Sequence, residues 1–431
     1  MSREPVIVGG ARTAVGNFGG CLKDVRVTDL GAHVIREALK RANLRPLCDP
    51  LSESCRPTIF GKYDKTWIHK KHYNFQDSAI PVHFDEVIMG NVIQAGLGQN
   101  PARQASIFAG MPEETTAFTV NKVCASGLKA IALAAASIKA QDADIIVAGG
   151  MENMSQAPYA MPKARWGYRM DMPFGQVTDL MVFDGLYEIF NGYHMGVTAE
   201  NIAEKFKITR QAQDELGVLS HNRARKAAAA GRFKDEIVTY MVPQQKGGEP
   251  IKFEVDERPM DTNMEKMSKL KPAFKKDGGT VTAGNASGIN DAAAVVIIMP
   301  EFKANDLSFE PLAKIKGYAS AGVDPAFMGL GPIPATRKVL KKLGLKVDDI
   351  DLFELNEAFA VQALADMQEL GLSNDNTNVN GSGISIGHPI GATGARMIFS
   401  LALEMKKRDV HLGLATLCIG GGMGMAMVLE R

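Results

Sequence analysis

The sequence predicts an α/β fold built twice over. Short apolar runs recur along it, helical stretches lie between several of them, and the order of elements in the first part returns in the last. At 431 residues the chain is too long for one ordinary core, so two or three domains are expected.

The runs "PVIVGG", "FDEVIMG", "ADIIVAGG", "AAAVVIIM", "IDLFEL" and "HLGLATLCIGGG" read as short buried strands. "VTDLGAHVIREALKRA" and "KAIALAAASIKAQ" have helical spacing. "TRQAQDELGVLSHNRARKAAAAG" has Thr209 as an N-cap and Gly231 just past its end. Strands alternating with helices predict a mainly parallel sheet covered on both faces. The duplication shows in two pairs of segments. Residues 84–112 and 350–372 each give an acidic entry, a strand, a polar turn and a helix. Residues 123–150 and 386–422 each give a small-residue turn, a helix, and a strand ending in glycines. Between the copies, Gln156 to Gly288 reads as a large insertion with its own helices. Leu44 to His83, rich in Pro, Ser and charge, reads as a loop excursion outside the core. Its aromatic residues Tyr63, Trp67, Tyr73 and Phe75 suggest that it packs on a surface.

Composition narrows the function. Apolar residues make up 45% and the net charge is +1, which argues against a nucleic-acid face. No apolar run is expected to reach a membrane span. The N-terminus enters a strand pattern at once, without a signal peptide. Five scattered cysteines do not make a disulfide framework, and a cytoplasmic setting fits. Within the excursion, Cys48, Cys55, His69 and His72 lack the spacing of a zinc site, so no metal is expected.

Cys124, in "VCASG", stands directly before a helix. Free backbone N–H groups there favour an anion, so a thiolate should form more readily than in water. Ala125, Ser126 and Gly127 leave room for a substrate to approach. The competing reading is a small buried hydrophobe, as most unpaired cysteines are. Three later turns weigh against it. His388 lies in the turn "GSGISIGHPIGATGAR", Cys418 begins "CIGGGMG", and Asn356 and Glu357 sit between a strand and a helix in "LFELNEAFA". If equivalent ends of the two copies meet, all four turns converge.

Read in order, "VCASG", "NEAF", "GHPIGATGAR" and "CIGGGMG" resemble the thiolase family. So do "GQNPARQA", "GGMENMS", "GYHMG", "LKPAF", "TAGNASGINDAAA" and "MGLGPIPA". The resemblance spans the chain except Leu44–His83, an insertion without a counterpart. It implies a thiolase-like five-layer αβαβα fold. The N-terminal half would be 1–155 with 285–305, the loop domain 156–284, and the C-terminal half 306–431. It also implies acyl transfer between acyl-CoA and CoA with reversible Claisen condensation. Coenzyme A would be substrate and product, no cofactor would be permanently bound, and the partners would be copies of the chain in a homodimer or homotetramer.

By this resemblance Cys124 is the nucleophile, His388 its base and Cys418 the second acid/base. The N–H groups of Cys124 and Gly420 form one oxyanion site. His388 and a water on Asn356 form the other, with Glu357 orienting its neighbours. Leu186, His194, Met195, Arg258, Phe274, Ala283 and Ser287 match CoA-contacting positions, Arg258 most loosely. Met328 and Phe359 match residues that crowd the acyl pocket of short-chain members. "CASG" and Ala292 depart from the commoner "CGSG" and glycine but keep the site small. A longer-chain 3-ketoacyl-CoA thiolase and a ketosynthase-like condensing enzyme are the rival activities. Asn356 and Cys418 argue against the ketosynthase, which uses two histidines. "VIVGGARTAVGNFGG" lacks the G-x-G-x-x-G spacing of a nucleotide-binding oxidoreductase. A non-catalytic scaffold would be expected to lose catalytic groups that are all present here.

Overall fold

The computed structural model describes residues 3–49, 51, 54–60, 66–168, 176–244 and 247–431. Nine strands run across its main sheet, with two two-residue strands, Gly16–Asn17 and Ile237–Val238, beside them: β1 (Pro5–Thr13), β2 (Glu86–Gly90), β3 (Thr116–Val120), β4 (Ile146–Asn153), β5 (Asn290–Pro300), β6 (Ala313–Gly322), β7 (Leu352–Leu355), β8 (Leu412–Ile419) and β9 (Met423–Glu430). The main helices are α1 (Val27–Arg41), α2 (Pro101–Phe108), α3 (Ser126–Ala140), α4 (Met195–Phe206), α5 (Arg210–Ala229), α6 (Pro332–Leu343), α7 (Ala360–Leu370) and α8 (Thr393–Arg408).

Across the sheet the order is β7, β8, β9, β6, β1, β5, β4, β2, β3. Read outward from the β6–β1 junction, β6, β9, β8, β7 on one side answers β1, β5, β4, β2 on the other. The predicted duplication is therefore a property of the fold. The expectation of a mainly parallel sheet is corrected. Of the steps among these nine strands, β2–β3, β2–β4 and β7–β8 are parallel. The five steps between them are antiparallel. The cause is local at one of these: three glycines close a direct hairpin from β8 to β9, and a hairpin can only pair antiparallel.

Five layers follow. Helices α1 and α2 cover the outer face of the first half-sheet, and α6 covers the second. Helices α3 and α8 pack on each other between the two. That central position explains the alanine-rich sequence of α3, because small side chains let two buried helices approach sheets on both sides. It also corrects one expectation. The stretch Val123–Ala140 is 18 residues long with mean hydropathy 1.5, enough by length and composition to cross a membrane. It is the core helix of this fold. The inserted region supplies α4 and α5, which pack against α7. Thr209 caps α5 through the Ala212 N–H at 3.2 Å, and Gly231 follows its end at φ +69°.

The excursion is not merely a loop outside the core, as the sequence suggested. Leu44–Leu47 and Ile80–His83 pair as a parallel two-stranded ribbon, with Leu44 and Val82 buried in the first half's core. A short helix, Trp67–His72, packs on α2. His69 is buried near Glu113, the His72 ring lies 5.2 Å from that of Phe108, and Phe75 packs on the core. Trp67 remains 73% exposed. Tyr63, Lys62 and Lys65 lie outside the described residues.

Candidate active site

The turn before α3 holds Cys124 in an unusual backbone. Val123, a β-branched residue, has φ +47°, a conformation that costs of order 1–3 kcal/mol. Ser126 supports it by accepting from Lys122 N at 2.8 Å and donating to Val123 O at 2.7 Å. Asn121 Oδ1 accepts from Val123 N at 2.9 Å. So Ser126 locks the turn, and is not simply a small residue that clears a path. Gly127 is likewise a packing residue, since a Cβ there would lie 2.9 Å from Gly391 O in the loop of His388. The two catalytic turns touch through glycine.

The N–H groups of Gly420 and of Cys124 itself point at the Cys124 sulfur and favour its thiolate. Burial outweighs them and pushes the thiol up to about 11. Burial thus opposes the readily formed thiolate expected of a cysteine at a helix start. A Cβ at Gly420 would meet Met195 Cε at 2.2 Å, so the end of that side chain would have to shift.

His388 is buried, and burial together with the Arg396 guanidinium brings its imidazole down to about 3. Its tautomer follows from one hydrogen-bond chain. Thr393 Oγ1 donates its proton to Pro389 O at 2.9 Å and lies 2.7 Å from His388 Nδ1. While that proton points to the carbonyl the hydroxyl accepts at Nδ1, which assigns the hydrogen to Nδ1 and leaves Nε2 its lone pair. The backbone N–H of His388 donates to Asn290 Oδ1 at 3.0 Å. Neither Thr393 nor Asn290 was singled out from sequence, although Thr393 stands within the motif.

Asn356 follows β7, and its Nδ2 lies 3.5 Å from both His388 ring nitrogens. Its Oδ1 is buried without a protein partner. Glu357 beside it accepts from Ser220 Oγ at 2.6 Å and Asn378 Nδ2 at 3.0 Å, joining α5 to the loop before α8. That supports an orienting role. Cys418 ends β8, fully buried. Burial, then the Cys124 thiol and the Asp366 carboxyl, push its thiol well above the ordinary range.

The expected CoA and acyl residues surround this centre. Met195, Met328, Ala358, Phe359 and Cys418 belong to one apolar cluster, with Val123 against it. Leu186 and His194 sit on a hairpin, where Met195 N donates to Leu186 O at 2.9 Å. The His194 ring stacks on Phe274 at 4.6 Å, and Phe274 meets Phe359 edge-on at 6.2 Å. Ser287 N donates to Ala358 O at 2.9 Å. Ala283 is exposed on the same rim. Arg258 is mostly a strut, donating to Ile384 O at 2.7 Å, Ala286 O at 2.9 Å and Ala283 O at 3.4 Å. Among the described residues no His, Cys, Asp and Glu cluster could hold a metal ion.

The thiolase N-terminal domain pattern matches residues 5–48 and 76–302, leaving 49–75 unmatched, and the thiolase C-terminal domain pattern matches 309–431. A relative from Syntrophomonas wolfei named acetyl-CoA acetyltransferase is 54% identical, covering all of both chains. Another of that name from Cupriavidus necator is 50% identical over 99% of each chain. The crystal structure of the Bacillus anthracis acetyl-CoA acetyltransferase superposes with a TM-score of 0.87 at 41% identity, covering 99% of this chain and 98% of that one. With two family patterns spanning nearly the whole length and relatives above 50% identity, the chain belongs to the thiolase family.

Proposed function

We propose that the protein is an acetyl-CoA C-acetyltransferase, converting two acetyl-CoA into acetoacetyl-CoA and CoA, and the reverse, through an acetylated Cys124. The observation that carries this reading is the setting of His388: a buried imidazole with Thr393 Oγ1 2.7 Å from Nδ1, in a loop packed against the turn of the Cys124 thiol.

His388 takes the Cys124 proton, and the sulfur attacks the thioester carbonyl. The N–H groups of Cys124 and Gly420 receive the oxyanion, and the CoA sulfur leaves with the proton from His388. In thiolysis, Cys418 gives its proton to the departing enolate carbon. In condensation, its thiolate takes that proton from the methyl group of the second acetyl-CoA. A thiol held far above its ordinary range is a strong base once ionised, which suits a carbon acid. Asn356 and His388 stabilise the thioester oxygen in that step.

The halves 1–155 with 285–305 and 306–431 carry these groups. The loop domain 156–284 presents the CoA face, with Leu186, His194, Met195 and Phe274, joined by Ser287 of the N-terminal half, around the pantetheine arm and Arg258 holding the rim. Met328 and Phe359 close the acyl pocket after two carbons. The working unit is a homodimer or homotetramer in the cytoplasm, with CoA as substrate and no resident cofactor. Incubation with acetyl-CoA alone should add one acetyl mass to the peptide of Cys124. Cys418→Ala should keep that label but lose carbon–carbon exchange. Label on Cys418 with Cys124 bare would overturn the assignment.

A further inference from the structure

Helix α7 carries a buried acid that the mechanism does not use. Asp366 and Gln362 are both fully buried, one turn apart. Gln362 Nε2 donates to Asp366 Oδ2 at 2.6 Å. The other end of the same amide, Oε1, accepts from Ala358 N at 3.1 Å and Phe359 N at 3.4 Å. These two N–H groups precede α7 and have no carbonyl of the helix to meet.

An amide is nearly symmetric in shape, and either end could face the turn. If Nε2 faced it, donors would oppose donors at both backbone N–H groups. In the structure Asp366 Oδ2 accepts from Nε2, which leaves Oε1 for the two backbone N–H groups. The stem of Gln362 is fixed as well, since a Cβ on Gly329 would lie 2.9 Å from its Cγ. Gly329 adjoins Met328, one wall of the proposed acyl pocket. The turn held by Gln362 includes the other wall, Phe359. It is stitched to the proposed CoA rim by Ser287 N to Ala358 O at 2.9 Å and Ala360 N to Asn285 O at 2.8 Å.

We infer that Asp366 is a positioning residue that fixes acyl specificity: by orienting Gln362 it sets where Phe359 and the Ala358–Ser287 contact stand. The inference rests on the thiolase reading above. Burial holds the Asp366 carboxyl well above the usual carboxylate range, so it acts as a neutral acceptor that asparagine can imitate.

Three variants test it: D366N, D366L and Q362L. Each is assayed for kcat/KM with acetoacetyl-CoA and with 3-ketohexanoyl-CoA in thiolysis, and for acetyl-CoA labelling of Cys124 per folded chain. D366N should stay within about threefold of the parent in both substrates. D366L and Q362L should raise the six-carbon to four-carbon ratio at least fivefold, while Cys124 still takes one acetyl group. The double variant should resemble either single one. Lower activity with an unchanged ratio would mean that the pair only supports the fold, and would overturn the inference. So would D366N behaving like D366L. Failure of the parent protein to label Cys124 would instead sink the thiolase reading.

Discussion

Thr393→Val tests the tautomer of His388 with almost no change in shape. The hydroxyl is fully buried, 2.7 Å from Nδ1, and is held by the Pro389 carbonyl. Valine would leave the Nδ1–H without its protein acceptor. A buried donor left unpaired costs about 1–3 kcal/mol. The imidazole can escape that cost by moving its hydrogen to Nε2 or by rotating, and either move removes the base from Cys124. If the whole cost falls on the acylation barrier, acetylation slows by about 5- to 150-fold. The assay is rapid-mix quenching of enzyme with acetyl-CoA, following acetyl mass on the Cys124 peptide. Thr393→Ser restores the acceptor and should restore most of the rate. Acetylation by the valine variant at the parent rate, with the fold intact, would refute the argument that Thr393 sets the tautomer.

Other expectations follow from particular groups. Burial pushes the Glu354 carboxyl up to about 8, so the folded chain holds a proton that the unfolded chain has released above its ordinary value. That stabilisation is complete at low pH and is lost as pH rises through 8. Between pH 6.5 and 8 the loss is about 2 kcal/mol at 1.36 kcal/mol per unit. Denaturant titrations of the parent and of Glu354→Gln should differ by this amount between pH 6.5 and 8, because the other buried groups, Glu152 raised to about 7 and His388 and His221 brought down to about 3 and 4, are common to both. Met328→Ala should admit two further methylenes and raise the six- to four-carbon ratio of kcat/KM by about tenfold at 0.8 kcal/mol each, whereas an unchanged ratio would place Met328 outside the pocket. Trp67→Ser, in the excursion, should leave Cys124 labelling within twofold, with mass in solution reporting any change of assembly. Loss of labelling would mean that this helix communicates with the site.

Much of the site was legible because its chemistry is written in residue types that turns seldom carry without reason. A histidine among glycines and a cysteine before three glycines marked turns that the fold brings close to Cys124, and His194 and Phe274 stack beside them. The unread parts depend on geometry across the chain. Whether a strand pairs parallel or antiparallel is decided by its connection, and β9 lies only three glycines after β8. The positive φ of Val123 leaves no trace in composition, because valine is the last residue expected there. The ribbon between Leu44–Leu47 and Ile80–His83 joins residues about 35 apart across a stretch that has no period.

The largest revision concerns charge. A cysteine at a helix start was expected to ionise more readily than in water, yet burial pushes the Cys124 thiol up and holds the His388 imidazole neutral. Both follow from burial, which disfavours any isolated charge more strongly than two N–H groups favour the thiolate. The arrangement has a chemical consequence. A standing thiolate would react with any small electrophile that entered, while a neutral pair exposes no nucleophile between turnovers. Ionisation becomes favourable only when a thioester carbonyl fills the oxyanion site and spreads the sulfur's charge onto an oxygen held by Cys124 and Gly420. The N–H groups that fail to ionise the resting thiol are then used where they act most, in the transition state. Alkylation by iodoacetamide gives the measure of this. Its rate at Cys124 should keep rising with pH beyond 9, with no plateau near neutrality. A plateau at or below pH 7 would mean a resting ion pair with His388, and the neutral-pair account would fail.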